Sequence, residues 1–282
     1  MHAVPEERTL ALLAPSLDSV PLLFRRAELD TQRHATYLAR LQQLRGRIYL
    51  DDGAIEPWQL REDGRHCVDT DADSWHVIAL SGASVTGCAR LQCHAGAPVY
   101  SRLGVARSAQ ARCPAWGEML RAAVRAELAR AEREHLGFVE AGGWAIAPAL
   151  RSTTEALRVA LGSFALGQLL GGCLGLSTAT VRHNSATILR KLGAAPLVWN
   201  GQRLPPYYDP AYRCEMEVVT FDSRRPHPKF ERVTEQLMEE LLHAPVYCGT
   251  GRLSQTTADL GALACAIGMV EDKQVSLPSH AS

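Results

Sequence analysis

One acid interrupts an apolar run in this chain. The segment from Phe138 to Ala147, FVEAGGWAIA, carries Glu140 as its single charged residue and stops at Pro148. A carboxyl group among apolar neighbours is expected to be pushed up toward the neutral range, which suits a general base. The other readings are a carboxylate facing solvent at a strand end, or one paired with an arginine. A basic residue sits in a similar setting: Arg90, within Gly87-Cys88-Ala89-Arg90-Leu91. An arginine on an otherwise apolar strand must find a partner or reach water. Asp71 is the candidate core partner, and a two-pronged grip on a substrate carboxylate is the alternative. Gly142-Gly143, just after Glu140, marks a bulge or a place where another backbone or a ligand comes close. Trp144 beside it is either a pocket wall or a core tryptophan. The triplet Cys88-x4-Cys93-His94 lacks a fourth metal ligand, so no metal is expected.

The elements that must position these residues follow from spacing. The run around Glu140, bounded by Gly and Pro, reads as a buried strand. From Ser152 to Leu170 the apolar residues recur at helical spacing, with Ser152 or Thr153 as N-cap and Glu155 fitting a capping box. Gly171-Gly172 stop that helix, a second strand runs from Cys173 to Val181, and a short helix from about Asn184 ends at Gly193. Strand, crossover helix and strand form a βαβ unit with parallel strands. The helix N-terminus aims backbone N–H groups at whatever lies above it. Upstream, a loose arm through residue 19 precedes a strand over Val20–Ala27. A helix follows, from an Asp30 or Thr31 cap to about Arg45. An acid-rich loop to Asp73 then leads to two strands, Trp75–Leu80 and Val85–Gln92, joined at Ser81-Gly82-Ala83-Ser84. An amphipathic helix covers Trp116–His135. A late strand covers Arg213–Asp222, and a last helix Lys229–His243.

The stretch Glu140-Ala141-Gly142-Gly143-Trp144-Ala145-Ile146 resembles the acidic strand motif of the GNAT acyltransferase superfamily. Within it the pattern is most similar to FeeM-type N-acyl amino acid synthases and acyl-homoserine-lactone synthases. Arg151-Ser152-Thr153-Thr154-Glu155-Ala156 stands at the pyrophosphate-loop position. Asp69-x-Asp71 with His76 resembles the acidic motif of their active-site wall, Gly87 to Leu91 their "G-x-x-R-L" strand, and Asp209 to Glu217 their closing strand.

The resemblance implies an α/β fold with a mixed, twisted sheet and helices on both faces. It also implies transfer of a fatty acyl group from a thioester to an amine. In that reading Glu140 is the base, and Arg90, Trp144 and Asp71 contact an amino-acid substrate. Ala145, Ile146, Ala147, Arg151, Ser152, Thr153 and Thr154 hold the acyl donor, with backbone N–H groups near Trp144–Ala147 facing the oxyanion. Two departures bear on the donor. Thr154 replaces the central glycine of the pyrophosphate loop, and Leu189 replaces a tyrosine that protonates the leaving thiolate. Both fit acyl-phosphopantetheine on an acyl carrier protein, with acyl-CoA as second choice and no tightly bound cofactor. The apolar helix residues Leu161, Phe164 and Leu166 beside Gly162 and Gly167 offer room for a fatty chain, or else plain packing. Alternatives are an acyl-homoserine-lactone synthase using S-adenosylmethionine, or a non-catalytic module that binds an acyl thioester or a carrier protein.

The totals set limits. A chain of 282 residues, 46% hydrophobic, supports one large domain with extensions. We divide it into an arm at 1–19, an acyltransferase domain at 20–245 and a tail at 246–282 to which no role is assigned. Formal net charge is zero, which disfavours bulk nucleic-acid binding. Arginines at 102, 107, 112, 121, 125, 130 and 133 outnumber the acids of their region; this is a solvated face or a dock for an acidic carrier protein. No apolar run is long enough for a transmembrane segment, and Glu6 and Glu7 replace the basic lead of a signal peptide. Eight cysteines without a CxxC pair point to reduced thiols and a cytoplasmic setting.

Overall fold

The computed structural model describes residues 8–16, 20–94, 96 and 98–249. The start of the expected arm and the tail beyond Gly249 lie outside these residues. The chain runs β1 (Arg8–Leu13), β2 (Arg26–Leu29), α1 (Thr31–Asp51), β3 (Trp75–Ser81), β4 (Ser84–His94), α2 (Gly117–Arg133), β5 (Gly137–Ile146), α3 (Thr154–Leu169), β6 (Cys173–Thr180) and α4 (Ser185–Leu192). It continues through the short strands β7 (Ala195–Pro196), β8 (Val198–Trp199), β9 (Gln202–Arg203) and β10 (Tyr207–Asp209), then β11 (Cys214–Asp222), α5 (Glu231–His243) and β12 (Pro245–Cys248). The main sheet follows the order β10-β11-β6-β5-β4-β3-β1-β12-β2, with β7 also on β11.

Strand alternation divides the core. Leu10, Leu12, Val77 and Val139 face α3 and α5. Ala11, Leu13 and Ile78 face α1, and Phe138, Leu174 and Val218 face α2. The central strands therefore bury both faces, as a sheet covered by helices on each side requires.

Three expectations change. Residues 8–13 are no arm: β1 pairs antiparallel with β3 and parallel with β12. Its apolar run, Leu10–Ala14, is almost wholly buried, so the sheet supplies the partners that a short N-terminal segment lacks alone. Val20–Ala27 is mostly a turn, with the Phe24 N–H donated to the Pro21 carbonyl at 3.2 Å; beyond a single bridge at Val20, the strand is Arg26–Leu29, paired with β12. Helix α1 passes Gly46 and ends at Asp51. Gly46 is not a stop; it leaves room for the Gly64 carbonyl, which a Cβ would strike.

The parallel pair β5–β6 is in register from Gly137/Cys173 to Ala141/Ser177. Beyond that point β5 pairs only with β4, as far as Ile146, and β6 only with β11, as far as Thr180. The two strands separate into a wedge. Below the wedge the packing is tight. A Cβ on Gly175 would overlap the Phe221 ring and lie 2.7 Å from Val139 Cγ2. The Gly175→Ala variant is expected to lose about 1–3 kcal/mol of stability through overpacking, seen as a lower urea midpoint at unchanged m-value.

Candidate active site

The wedge opens into a cavity of about 890 Å³. Its wall is built from the C-terminal halves of β5 and β6, the starts of α3 and α4, the end of α1, and the loops at 104–112 and 207–212.

Glu140 reaches this cavity from β5. Its Oε2 accepts from the Gly104 N–H at 2.9 Å and contacts His94 Nε2 at 3.2 Å; its Oε1 accepts from the Val105 N–H at 3.0 Å. Burial pushes the carboxyl up, but the His94 contact and the two N–H donors outweigh it, and the group titrates below its ordinary range. The sequence-based expectation of a raised value is therefore reversed. Apolar neighbours along the strand gave no sign of two loop amides arriving from the 104–105 turn. Glu140 stands as an anion at neutral pH.

Arg90 and Glu140 lie on one face of the sheet. Arg90 is in register with Gly142, and Gln92 with Glu140, so the two charges are diagonal neighbours, with Cα atoms about 7–8 Å apart. Arg90 Nη1 is 3.4 Å from Asp71 Oδ1; Nη2 makes no hydrogen bond among the described residues, and the side chain lines the cavity while 15% exposed. The core-partner reading and the substrate-facing reading are thus compatible.

Asp71 does not reach the cavity. It is 3% exposed and chiefly paired with Arg45, through Nη1–Oδ1 at 3.0 Å and a second, shorter Nη2–Oδ2 contact. It also accepts from Gln42 Nε2 at 3.0 Å and the Val68 N–H at 3.1 Å. This corrects its expected role as a substrate contact: it is a buried counter-ion beneath Arg90. Burial pushes its carboxyl up, but Arg45 holds it well below the usual carboxylate range. His76, its Nε2 2.8 Å from the Asp71 carbonyl, is pushed down by burial to about 4.

The glycine pair is a bulge. Register shifts between Cys88 and Arg90, so Gly143 and Trp144 together oppose Ala89. Gly143 has φ +62°, and a Cβ there would lie 3.1 Å from Arg45 Nη1 and 3.3 Å from Arg90 Cβ. What comes close to the glycines is the pair of arginines. Trp144 lines the cavity, yet its Nε1 is buried without a partner, as is Arg90 Nε.

The expected donor-binding residues divide. Ala145, Ile146, Arg151 and Ser152 line the cavity. Ala147 does not, and its N–H is donated to the Thr86 carbonyl at 2.8 Å, so it has none to offer an oxyanion. Thr153 caps α3, accepting from the Glu155 N–H at 3.3 Å and donating to the Leu150 carbonyl at 2.7 Å. Thr154 is the first residue of α3 and stays outside the wall. Arg151 is occupied by Asp52 at 3.2 Å, whose carbonyl also accepts from Arg182 at 2.6 Å. Leu161, Phe164 and Leu166 are buried in the core, and a Cβ on Gly162 would lie 3.0 Å from Val77. That helix packs on the sheet at these residues.

Four site residues escaped the sequence reading: Arg45, Tyr49, Tyr212 and, as a carboxylate partner, His94. Arg45 had a signal, since it falls inside the apolar stripe of Leu41, Leu44 and Ile48. Tyr212, in a turn between β10 and β11, stands within the Asp209–Glu217 segment that resembles the FeeM-type closing strand, but nothing there assigned its side chain a part in the site.

No protein-family model matches the chain, and no curated protein matches it. Solved structures do. A CoA-dependent acyl-homoserine lactone synthase, BjaI, with S-adenosylmethionine (SAM) and isopentyl-CoA, aligns at TM-score 0.50 and 15% identity over 92% of this chain and 100% of that one. FeeM, an N-acyl amino acid synthase from uncultured soil microbes, aligns at TM-score 0.46 and 10% identity over 76% and 90%. The acyl-homoserine-lactone synthase LasI aligns at 0.44 and 11% over 77% and 91%. At such identity the likeness to BjaI is one of fold, and the architecture is GNAT-like. Among the described residues no helix is long and apolar enough to cross a membrane.

Arg45 is the expected weak point of this site. The folded Asp71 carboxyl titrates below its unfolded value of about 3.9, so its pairing stabilises the fold above that range and is lost as pH falls through it. Arg45→Met strands a buried carboxylate and is expected to cost about 3–5 kcal/mol at neutral pH. The deficit against wild type should shrink as the medium is acidified, measured by urea unfolding across pH.

Proposed function

We propose that this protein is an N-acyltransferase that moves a medium or long fatty acyl group to the α-amine of an amino acid. The donor is a phosphopantetheine thioester on an acyl carrier protein, with acyl-CoA second. The observation that carries this reading is the placement of two opposite charges on one cavity wall. Glu140 is kept anionic, and Arg90 keeps its Nη2 unspent beside the cavity. An amino acid presents an ammonium and a carboxylate close together, and the two side chains match that pattern.

The depressed Glu140 cannot strip a free ammonium efficiently. Its part comes later. The neutral fraction of the amine, about a tenth at neutral pH for a pKa near 8, attacks the thioester carbonyl. The nitrogen then carries a positive charge and becomes strongly acidic, and Glu140 accepts its proton. The oxyanion lies against the Gly143–Trp144 bulge. The C–S bond breaks, its electron pair leaves with sulfur, and the thiolate regains the proton from Glu140 through water.

The carrier-protein donor is supported by the rim. Arg107 and Arg112 line the cavity mouth and are exposed, as are Arg102, Arg125 and Arg133 nearby in sequence; this suits an acidic partner. Arg151 is spent on Asp52, which favours a donor without a pyrophosphate.

Lipid extracts of cells overexpressing the protein should contain new N-acyl amino acids by mass spectrometry. Acyl lactones instead would mean the acceptor is S-adenosylmethionine, and neither product would leave a binding module. In purified enzyme, Glu140→Gln is expected to lower kcat by about 10²–10⁴. Arg90→Met should raise the KM for the amino acid by about 10–100-fold, the loss of one charged hydrogen-bonded contact.

A further inference from the structure

An acyl transfer of this kind develops negative charge on the carbonyl oxygen, and the cavity holds one side chain poised to receive it. We propose that the Tyr212 hydroxyl is a hydrogen-bond donor to that oxyanion, completing a hole whose other side is the Gly143–Trp144 bulge. The inference rests on the acyltransferase reading and deepens it.

Tyr212 enters the cavity from the turn between β10 and β11. Its ring stands edge-on to Tyr49, 79° between planes and 6.3 Å between centroids. Tyr49 in turn packs against the His66 ring at 5.5 Å. This stack fixes the ring, and a fixed donor is what stabilisation of a developing charge requires. Among the described residues the Tyr212 hydroxyl has no hydrogen-bond partner, yet it is not one of the sealed, unsatisfied polar atoms. It is therefore not sealed off, and the residue lines the cavity.

Its neighbours agree with the location. Arg90 and Asp209 both act on it electrostatically, and Arg90 packs against Gly142 and Gly143. Bulge and hydroxyl are thus both neighbours of Arg90. Burial pushes the Tyr212 hydroxyl up, which outweighs the opposing pull of Arg90 and Arg45. The proton stays on oxygen, so the group donates and does not ionise. The other tyrosines fit less well: Tyr207 is engaged with Ser108, and Tyr49 lies deeper, against Arg45 and Cys88. Leu189, on the facing helix wall, has nothing to donate.

No proton leaves Tyr212 in this role. Nitrogen adds to the carbonyl carbon, the π pair moves to oxygen, Tyr212 holds that oxygen by its O–H, and the pair returns as the C–S bond breaks.

A rival role is contact with the substrate carboxylate alongside Arg90, and kinetics separate the two. Tyr212→Phe removes one oxygen and keeps the ring stack. With dodecanoyl-acyl carrier protein and, in parallel, dodecanoyl-CoA as donor and an equimolar mixture of the L-amino acids other than cysteine as acceptor, acyl-amide formation is followed by mass spectrometry while total acceptor is varied. The expected result is a kcat lower by about 10²–10³ at unchanged apparent KM. Hydrolysis of whichever thioester the wild type uses, without acceptor, is expected to fall by a similar factor, because it passes through the same oxyanion. A raised KM at unchanged kcat, or no change at all, overturns the assignment. If wild-type enzyme forms no acyl amide, the acyltransferase reading fails and this one with it; if wild type transfers and Tyr212→Phe matches it, only the oxyanion role fails. Near-UV circular dichroism and the thermal midpoint of Tyr212→Phe exclude misfolding as the cause.

Discussion

A buried ion pair between Arg45 and Asp71 underlies the site. Arg45 is 1% exposed and Asp71 little more, and a charge in such surroundings persists only when it is paired and hydrogen-bonded. The pair is well satisfied: Arg45 also donates to the His66 carbonyl from Nε at 3.2 Å and from Nη2 at 2.5 Å. In this way one helix, one loop and two strands are tied at a point. Arg90, which lines the cavity above, leans on the same carboxylate at 3.4 Å. Two guanidinium groups therefore share one carboxylate, and the surplus positive charge faces the cavity.

The glycine bulge on β5 follows from that arrangement. With Arg45 and Arg90 packed beneath residue 143, a side chain would collide, and the backbone needs the left-handed region there. The bulge sits where β5 leaves β6, so the strand that opens the wedge is bent over the two arginines. Near it, Trp144 Nε1 and Arg90 Nε are buried without partners. Each such group costs about 1–3 kcal/mol, and their concentration at one place marks a site where stability is given up for arrangement.

Glu140 shows how tertiary contacts can reverse a local expectation. Desolvation alone would make it a stronger base. The amides of Gly104 and Val105, with His94, make it a fixed anion instead. A fixed anion beside an open guanidinium is a pattern for a zwitterion, whereas a carboxylate of raised basicity would be a pattern for taking a proton directly from an ammonium. The two amide contacts also anchor the turn that carries Arg107 to the rim. Site charge and loop placement thus depend on one carboxylate.

Periodicity and punctuation were enough for the βαβ unit, the β3–β4 hairpin and helix α2, because those elements are set by local spacing and by glycine or proline at their ends. The bulge on β5, marked by its glycine pair, and the isolated charges Glu140 and Arg90 were also legible, since a polar residue in an apolar run stands out whatever it pairs with. Arg45 was visible in principle as a charge within an apolar helical stripe. What the amino-acid order left open were pairings between distant segments: β1 and β12 side by side, Asp71 beneath Arg90 and not in the cavity, and loop amides on Glu140. Those depend on which surfaces meet once the chain is compact, and a carboxylate's charge is set by the donors that meet it there. Local patterning determined the residues that carry charge; only three-dimensional packing decided their ionisation, their partners and which of them face the cavity.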